Sequence, residues 1–295
     1  MEAVNTFNRQ TFSDYLSLTK PRITLLVLLT TLAAMYLAAH GLPDLWLVFF
    51  TLLGTGLASA SAAVLNCYID RDIDTRMTRT RNRPLPAGRL KPESALIFGI
   101  LLQVLSFIVL VLSVNWLAAL LALAANVSYV GVYTLWLKRT TPRCTEIGGI
   151  AGALPPVIGW AAVTNHIGVE ALILFALMFL WQPPHFWALA LFRTEEFRQA
   201  NLPMLPVVRG PAVTKNYILL YAAAMLLISL LLYPLKIVGF GYLIGATVLG
   251  LGFVALAMLN MKASSGDRQA KQLFFYSMAY LSLLFIAMVL DCQCK

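Results

Sequence analysis

The sequence predicts an all-α, polytopic membrane protein with about nine spanning helices. Three observations carry this prediction. Of 295 residues, 60% are hydrophobic and 12% are charged, about half the charged share of an ordinary soluble domain, so a water-facing surface cannot be covered. Several runs approach or exceed the roughly 20 apolar residues that cross a bilayer, with few or no charges inside them. The connecting segments alternate between long basic stretches and short, nearly uncharged ones.

With Pro, Gly and charge as punctuation, the spans fall at about 22–40, 45–66, 93–112, 116–137, 146–164, 169–190, 216–234, 238–260 and 272–290. The first begins only after Lys20, Pro21 and Arg22 and lacks a small-residue cleavage pattern, so it reads as a retained helix, with Met1 as the mature start. The second runs into an acidic stretch, and the fourth ends on Lys138, Arg139 and Arg143. In the fifth, the Gly-rich IGGIAGALPPVIGW (147–160) lacks the strand and loop context of a nucleotide site. Its small residues suit close helix packing, and Pro155 and Pro156 open the helix. The sixth ends in WQPPHFWALALF, where Pro183 and Pro184 remove adjacent backbone donors and break or kink the helix. Broken membrane helices line cavities. The last three spans rest on hydropathy alone.

With a cytoplasmic N-terminus, all of the 22 basic residues except Lys236 and Lys295 fall on one side, which satisfies the positive-inside rule. The net charge of +9 is therefore topological, and no nucleic-acid partner is expected. Cys67, Cys144, Cys292 and Cys294 show neither paired CxxC spacing nor a secreted framework, so the CQC tail reads as inert. The two longest loops, about 67–92 and 191–215, are too short for a soluble domain, and residues 1–295 read as one transmembrane domain. Both loops follow an apolar span four helices apart, a hint of a pseudo-repeat presenting two acidic helix ends on one face.

At the cytoplasmic end of the second span, NCYIDRDID places Asn66, Asp70 and Asp74 at i, i+4 and i+8. At about 100° per residue the three cover an arc of roughly 80°, so one face presents an amide and two carboxylates while Asp72 points elsewhere. Carboxylates at that separation repel one another and are costly at a membrane boundary unless a cation offsets them. Hard oxygen ligands select Mg²⁺, which binds through one or two carboxylates plus substrate phosphate oxygens. The following RMTRTRNRPLPAGR supplies guanidinium forks suited to a diphosphate, Arg79 and Arg83 foremost. The plainer alternative is a solvated loop in which these acids and arginines pair. Helical spacing at the end of a spanning helix favours the metal site over it.

These residues resemble the intramembrane prenyltransferase superfamily of aromatic and quinone prenyltransferases, whose first aspartate-rich motif matches Asn66, Asp70 and Asp74. DYLSLTKPRIT, NCYIDRDIDTRMTRTRNRPLPAG, IGGIAGALPPVIGWAAV, WQPPHFWALALF and NLPMLPVV together are similar to the branch that farnesylates protohaem. The resemblance implies a nine-helix bundle around a membrane-facing cavity in the cytoplasmic (inner) membrane, farnesyl diphosphate and haem B as substrates, and Mg²⁺ as cofactor. It also implies haem O as product, passed to a handover partner in haem A synthesis or terminal oxidase assembly. One departure stands out. The superfamily's second motif is commonly aspartate-rich, whereas the loop here reads FRTEEFRQANLPMLPVV, with Glu195 and Glu196 as its only acids. They either hold a second Mg²⁺, orient Arg193 and Arg198, or form a surface charge cluster.

On this resemblance His185 either ligates the haem iron or handles a proton near the reacting vinyl group; the plainer reading is a hydrogen-bonded packing residue. Gln182 and Arg193 join the substrate-binding candidates. Lys138, Arg139 and Arg143 are placed to attract haem propionates. Trp181, Phe186, Trp187 and Tyr68 line the prenyl channel or pack. The expected mechanism has Asp70 and Asp74 holding Mg²⁺ against the departing diphosphate, attack by the vinyl carbon, and capture of the new cation by water with His185 as base. The rival functions are prenylation of a quinone-precursor aromatic acid, and transport through a polytopic bundle.

Overall fold

The computed structural model describes residues 2–262 and 267–292; Cys294 and Lys295 lie outside the described residues. Nine helices among those residues are long and apolar enough to cross a membrane: α1 (Pro21–Ala38), α2 (Leu45–Ile69), α3 (Pro92–Ser113), α4 (Trp116–Thr140), α5 (Cys144–Thr164), α6 (Val169–Phe192), α7 (Gly210–Leu230), α8 (Phe240–Lys262) and α9 (Arg268–Leu290). The largest departure from the sequence reading is α7, which starts at Gly210 rather than at 216, because Pro211 sits in the first turn where its missing N–H has no partner to lose. The chain is a multi-pass membrane protein whose exterior is apolar: Ile97, Ile100, Leu101 and Leu105 of α3 all face outward.

Inside the bundle, small residues and hydroxyls bring helices together. Ser61 Oγ donates to the Gly99 carbonyl and Ser106 Oγ to the Gly54 carbonyl, each at 2.7 Å, locking α2 to α3. A Cβ at Gly159 of α5 would sit 2.2 Å from the Thr31 carbonyl oxygen of α1, so those two backbones touch. Helices α6 to α9 enclose a second core built on Trp187, Tyr242, Phe253 and Tyr280.

Neither proline pair breaks its helix: α5 runs through Pro155 and Pro156, and α6 through Pro183 and Pro184. Prolines free backbone carbonyls; side chains of neighbouring helices bond carbonyls along α5, and a side chain of α6 itself bonds one near its own pair. Thr31 Oγ1 donates to the Pro155 carbonyl at 3.2 Å, and Gln182 Nε2 donates to Gly149 across α5 at 2.8 Å and to Met178 within α6 at 3.1 Å.

Two features were invisible in the apolar pattern. Residues Ser128–Leu137 of α4 wind as a π-helix, with Thr134 Oγ1 donating to the carbonyl of Tyr129, five residues back, at 2.8 Å. Ahead of α1, a surface helix (Glu2–Leu18) buries Leu18, sets Tyr15 edge-on to Phe98, and leaves Phe12 outward. Lys20 then turns the chain into α1 with φ at +48°, left-handed backbone that costs a non-glycine residue about 1–2 kcal/mol.

Candidate active site

The acidic cluster forms where α2 ends. Asp70 caps α2, and its N–H bonds the Asn66 carbonyl at 2.9 Å while the Asp74 N–H bonds the Asp70 carbonyl at 2.8 Å. The short turn Arg71–Asp74 thus keeps helical register through the end of the span. Asn66, Asp70 and Asp74 all turn inward, exposed by 4%, 1% and 4%, whereas the Asp72 side chain is 55% exposed.

Three segments supply the partners. Lys138, at the end of the π-helical stretch, bonds Asp70 Oδ2, which also accepts from Asn66 Nδ2 at 2.7 Å. Thr134, one turn earlier, accepts from the same Asn66 amide at 3.3 Å. From the start of α1, Lys20 Nζ donates to Asn66 Oδ1 at 2.7 Å. From the 70–91 loop, Arg83 Nη1 donates to Asp74 Oδ2 at 2.6 Å. Burial pushes the Lys20 ammonium below its ordinary pKa, against the opposing pull of Cys67, Asp70 and Asp74.

Beside this cluster is a cavity of about 440 Å³ lined by Lys20, Cys67, Arg79, Arg83 and Arg89, with Asp14 of the surface helix. Asp14 accepts two bonds from Arg89 Nε, at 3.0 and 3.2 Å, which clasps the surface helix onto the loop carrying the arginines. Desolvation first, then repulsion by Arg83 and Arg193, lowers the Arg79 pKa; Asp74 and Glu196 oppose it. The second loop therefore brings Arg193 and Glu196 within electrostatic reach of Arg79. Arg193 Nη1 donates to Glu196 Oε1 at 2.6 Å, whereas Glu195 is exposed and pairs with Arg198.

The oxygens present suit Mg²⁺. Asp70 Oδ1 is buried and accepts no hydrogen bond, with Arg139 Nη2 at 3.8 Å, so a carboxylate oxygen is left for a cation beside Asp74 and the Asn66 amide. No three His, Cys, Asp or Glu side chains converge among the described residues. An ion held here would need further oxygen ligands, such as phosphate oxygens and water.

The other candidates are spread out. Arg139 forks onto Asp72 at 2.8 and 2.9 Å and holds that exposed carboxyl below its usual range. Arg143 is exposed at the start of α5. Gln182 is spent on the α5 contact, close to where a Gly152 Cβ would fall. His185 is buried between α6 and α9, stacked between Trp181 and Phe274 with both centroids at 4.5 Å. Trp187 packs against Tyr217 and Tyr221, Phe186 faces outward, and Tyr68 lies beneath Arg71. Sequence reasoning assigned no site role to Lys20 or Thr134. The lysine stands at the membrane edge in TKPR and was legible as a cation there; the threonine carries no signal of its own.

The UbiA prenyltransferase family profile matches residues 27–279. A protein named "Protoheme IX farnesyltransferase" from Symbiobacterium thermophilum is 50% identical, covering 96% of this chain and 95% of its own. Proteins of that name from Aquifex aeolicus and Gloeobacter violaceus are 49% and 48% identical, covering 94% and 95% of this chain and 94% and 92% of theirs. Among solved structures, one described as digeranylgeranylglyceryl phosphate synthase superposes with a TM-score of 0.82 at 18% identity, over 96% of this chain and 99% of its own. A UbiA homolog from Archaeoglobus fulgidus bound to DMAPP and Mg²⁺ superposes at 0.61 and 18% identity, over 94% and 99%. At such identity these structures share the fold.

Proposed function

This chain belongs to the UbiA prenyltransferase family, and on that premise we propose that it transfers the farnesyl group of farnesyl diphosphate to a vinyl group of haem B, with addition of water, giving haem O and diphosphate. The observation that supports it most is the pairing of a nearly full-length likeness to proteins named for this reaction with a buried amide–dicarboxylate site beside a cationic cavity.

Asn66, Asp70 and Asp74 are the residues that would hold Mg²⁺, and the ion would supply charge neutralisation to the departing diphosphate. Arg83, Arg79 and Lys20 take the diphosphate oxygens from the cavity side, their rigid or desolvated charges counting for more than they would in water. Lys138 holds the Asp70 carboxylate in place. Glu196 orients Arg193 toward the same anion. As the allylic C–O bond breaks, the haem vinyl carbon bonds to the farnesyl carbon and leaves a cation next to the macrocycle. Water adds to that carbon and loses a proton to His185, which gives the hydroxyethylfarnesyl substituent. Stacking between two aromatic rings fixes the orientation of the buried imidazole.

By the positive-inside rule the basic loops and this site face the cytoplasm, and the protein lies in the inner membrane, delivering haem O to a partner in haem A synthesis or oxidase assembly. The test is mass spectrometry of haem extracted after incubating the purified protein with haem B, farnesyl diphosphate and Mg²⁺. Haem O is expected. Unmodified haem together with a prenylated aromatic acid overturns the substrate assignment and leaves the family intact.

A further inference from the structure

The sequence marks His185 but says nothing of what sets its tautomer; α9 supplies that. Ser277 of α9 is fully buried and meets two side chains of α6 that are one helical turn apart. Trp181 Nε1 donates to the Ser277 carbonyl at 2.7 Å, and His185 Nδ1 lies 2.6 Å from Ser277 Oγ. A hydroxyl has one proton to give, and Ser277 gives it to the carbonyl of Phe274, an atom that can only accept, at 2.6 Å. With that proton spent on Phe274, Ser277 Oγ accepts from His185, the arrangement that puts the ring proton on Nδ1 and leaves Nε2 its lone pair; the reverse arrangement has Oγ donating to Nδ1. The ring is also held in place: Trp181 stacks on one side at 18° and Phe274 on another at 24°, both at 4.5 Å, with Phe186 edge-on at 5.2 Å.

We infer that Ser277 is a positioning residue, acting through His185 to fix the Nδ1–H tautomer and leave Nε2 as the ring's acceptor. This deepens the proposed function and rests on it for the identity of the proton. When water adds to the cation beside the macrocycle, its oxygen bonds to carbon, an O–H bond breaks, and the proton goes to Nε2, for later release to solvent. The resulting imidazolium keeps its Nδ1–H on Ser277. With the opposite tautomer Nε2 has no lone pair, and the same cation instead loses a proton from the adjacent carbon to the released diphosphate, giving an alkene lighter than haem O by one water.

The test reads the tautomer itself. The chain has 3 histidines, so ¹⁵N-histidine solid-state NMR of the full protein in bilayers resolves His185, assigned by the signal lost in His185→Gln. Wild type should show protonated Nδ1 and unprotonated Nε2. Ser277→Ala keeps the backbone bond to Trp181 and removes only the hydroxyl. It should mix the tautomers, cut kcat for haem O by about tenfold, the worth of one hydrogen bond, and leave KM for farnesyl diphosphate unchanged. The anhydro product should rise as haem O falls, and Ser277→Thr should restore both. An Nε2–H signal in wild type, or an Ser277→Ala protein with an unchanged spectrum and unchanged product ratio, overturns the assignment. If wild type makes no haem O, the proposed reaction fails instead, and the tautomer still reads out.

Discussion

Replacing Lys138 with Met separates the site's buried ion pair from its exposed one. Asp70 and Lys138 side chains are 1% and 16% exposed, and among the described residues the Asp70 carboxylate has only the Lys138 and Asn66 hydrogen bonds, both on Oδ2. Removing one partner of a buried pair costs about 3–5 kcal/mol, because the other charge is left desolvated. Since Lys138 is the more exposed partner, the lower end applies, and about 3 kcal/mol corresponds to a fall in melting temperature on the order of 10 °C. Arg139→Met is the control: it acts mainly on Asp72, half in solvent, and costs under about 1 kcal/mol. Cys67 and Cys144 are buried free thiols, so once the half-buried Cys292, and with it Cys294, is replaced by Ser in all variants, a thiol-reactive fluorophore reports unfolding in detergent. Mg²⁺ with inorganic diphosphate should restore part of the Lys138→Met loss by supplying Asp70 with another cation. If the two variants melt alike, the ranking of these pairs by burial is refuted.

Asp70→Ala should abolish farnesyl transfer, by roughly a hundredfold or more if the metal supplies several kcal/mol of charge stabilisation, while the protein still inserts; normal turnover in membranes would remove the metal assignment. Asp72→Asn should leave transfer intact. Arg139 holds the Asp72 carboxyl below its ordinary 3.8, so this pair stabilises the fold above that value and loses the contribution as pH falls through the lowered one. Thermal melts should therefore show a deficit for Asp72→Asn below about 1 kcal/mol at neutral pH that disappears in acid, and a deficit that grows in acid would contradict the sign. Gly159→Ala drives a Cβ to 2.2 Å from a backbone carbonyl that cannot step aside, so it should cost about 1–3 kcal/mol or more, whereas Gly245→Ala meets open space and should be neutral to slightly stabilising. Equal melting temperatures for these two glycine variants would show that α1 and α5 have room to part.

Much of this protein was legible in one dimension. Membrane helices are set by length and apolar composition, both local quantities, so the nine spans and their order follow from hydropathy and punctuation. The acidic face was legible for the same reason: Asn66, Asp70 and Asp74 lie within nine residues on one helix, and a period near 3.6 brings them together without help from the rest of the chain. Tertiary structure decided what answers those acids. Lys20 lies 46 residues from Asn66, and Lys138 lies 68 from Asp70 on a helix whose π-wound stretch sets its register. Ser277 meets His185 across 92 residues. The proline pairs show the same division. Local rules predicted a break or kink, but both helices continue: the Pro155 carbonyl is bonded by Thr31, which only the folded bundle delivers, while the Met178 carbonyl near Pro183 is bonded by Gln182 of the same helix. A backbone group in a membrane must find a partner inside the protein, and which partner it finds is a property of packing that hydropathy does not encode.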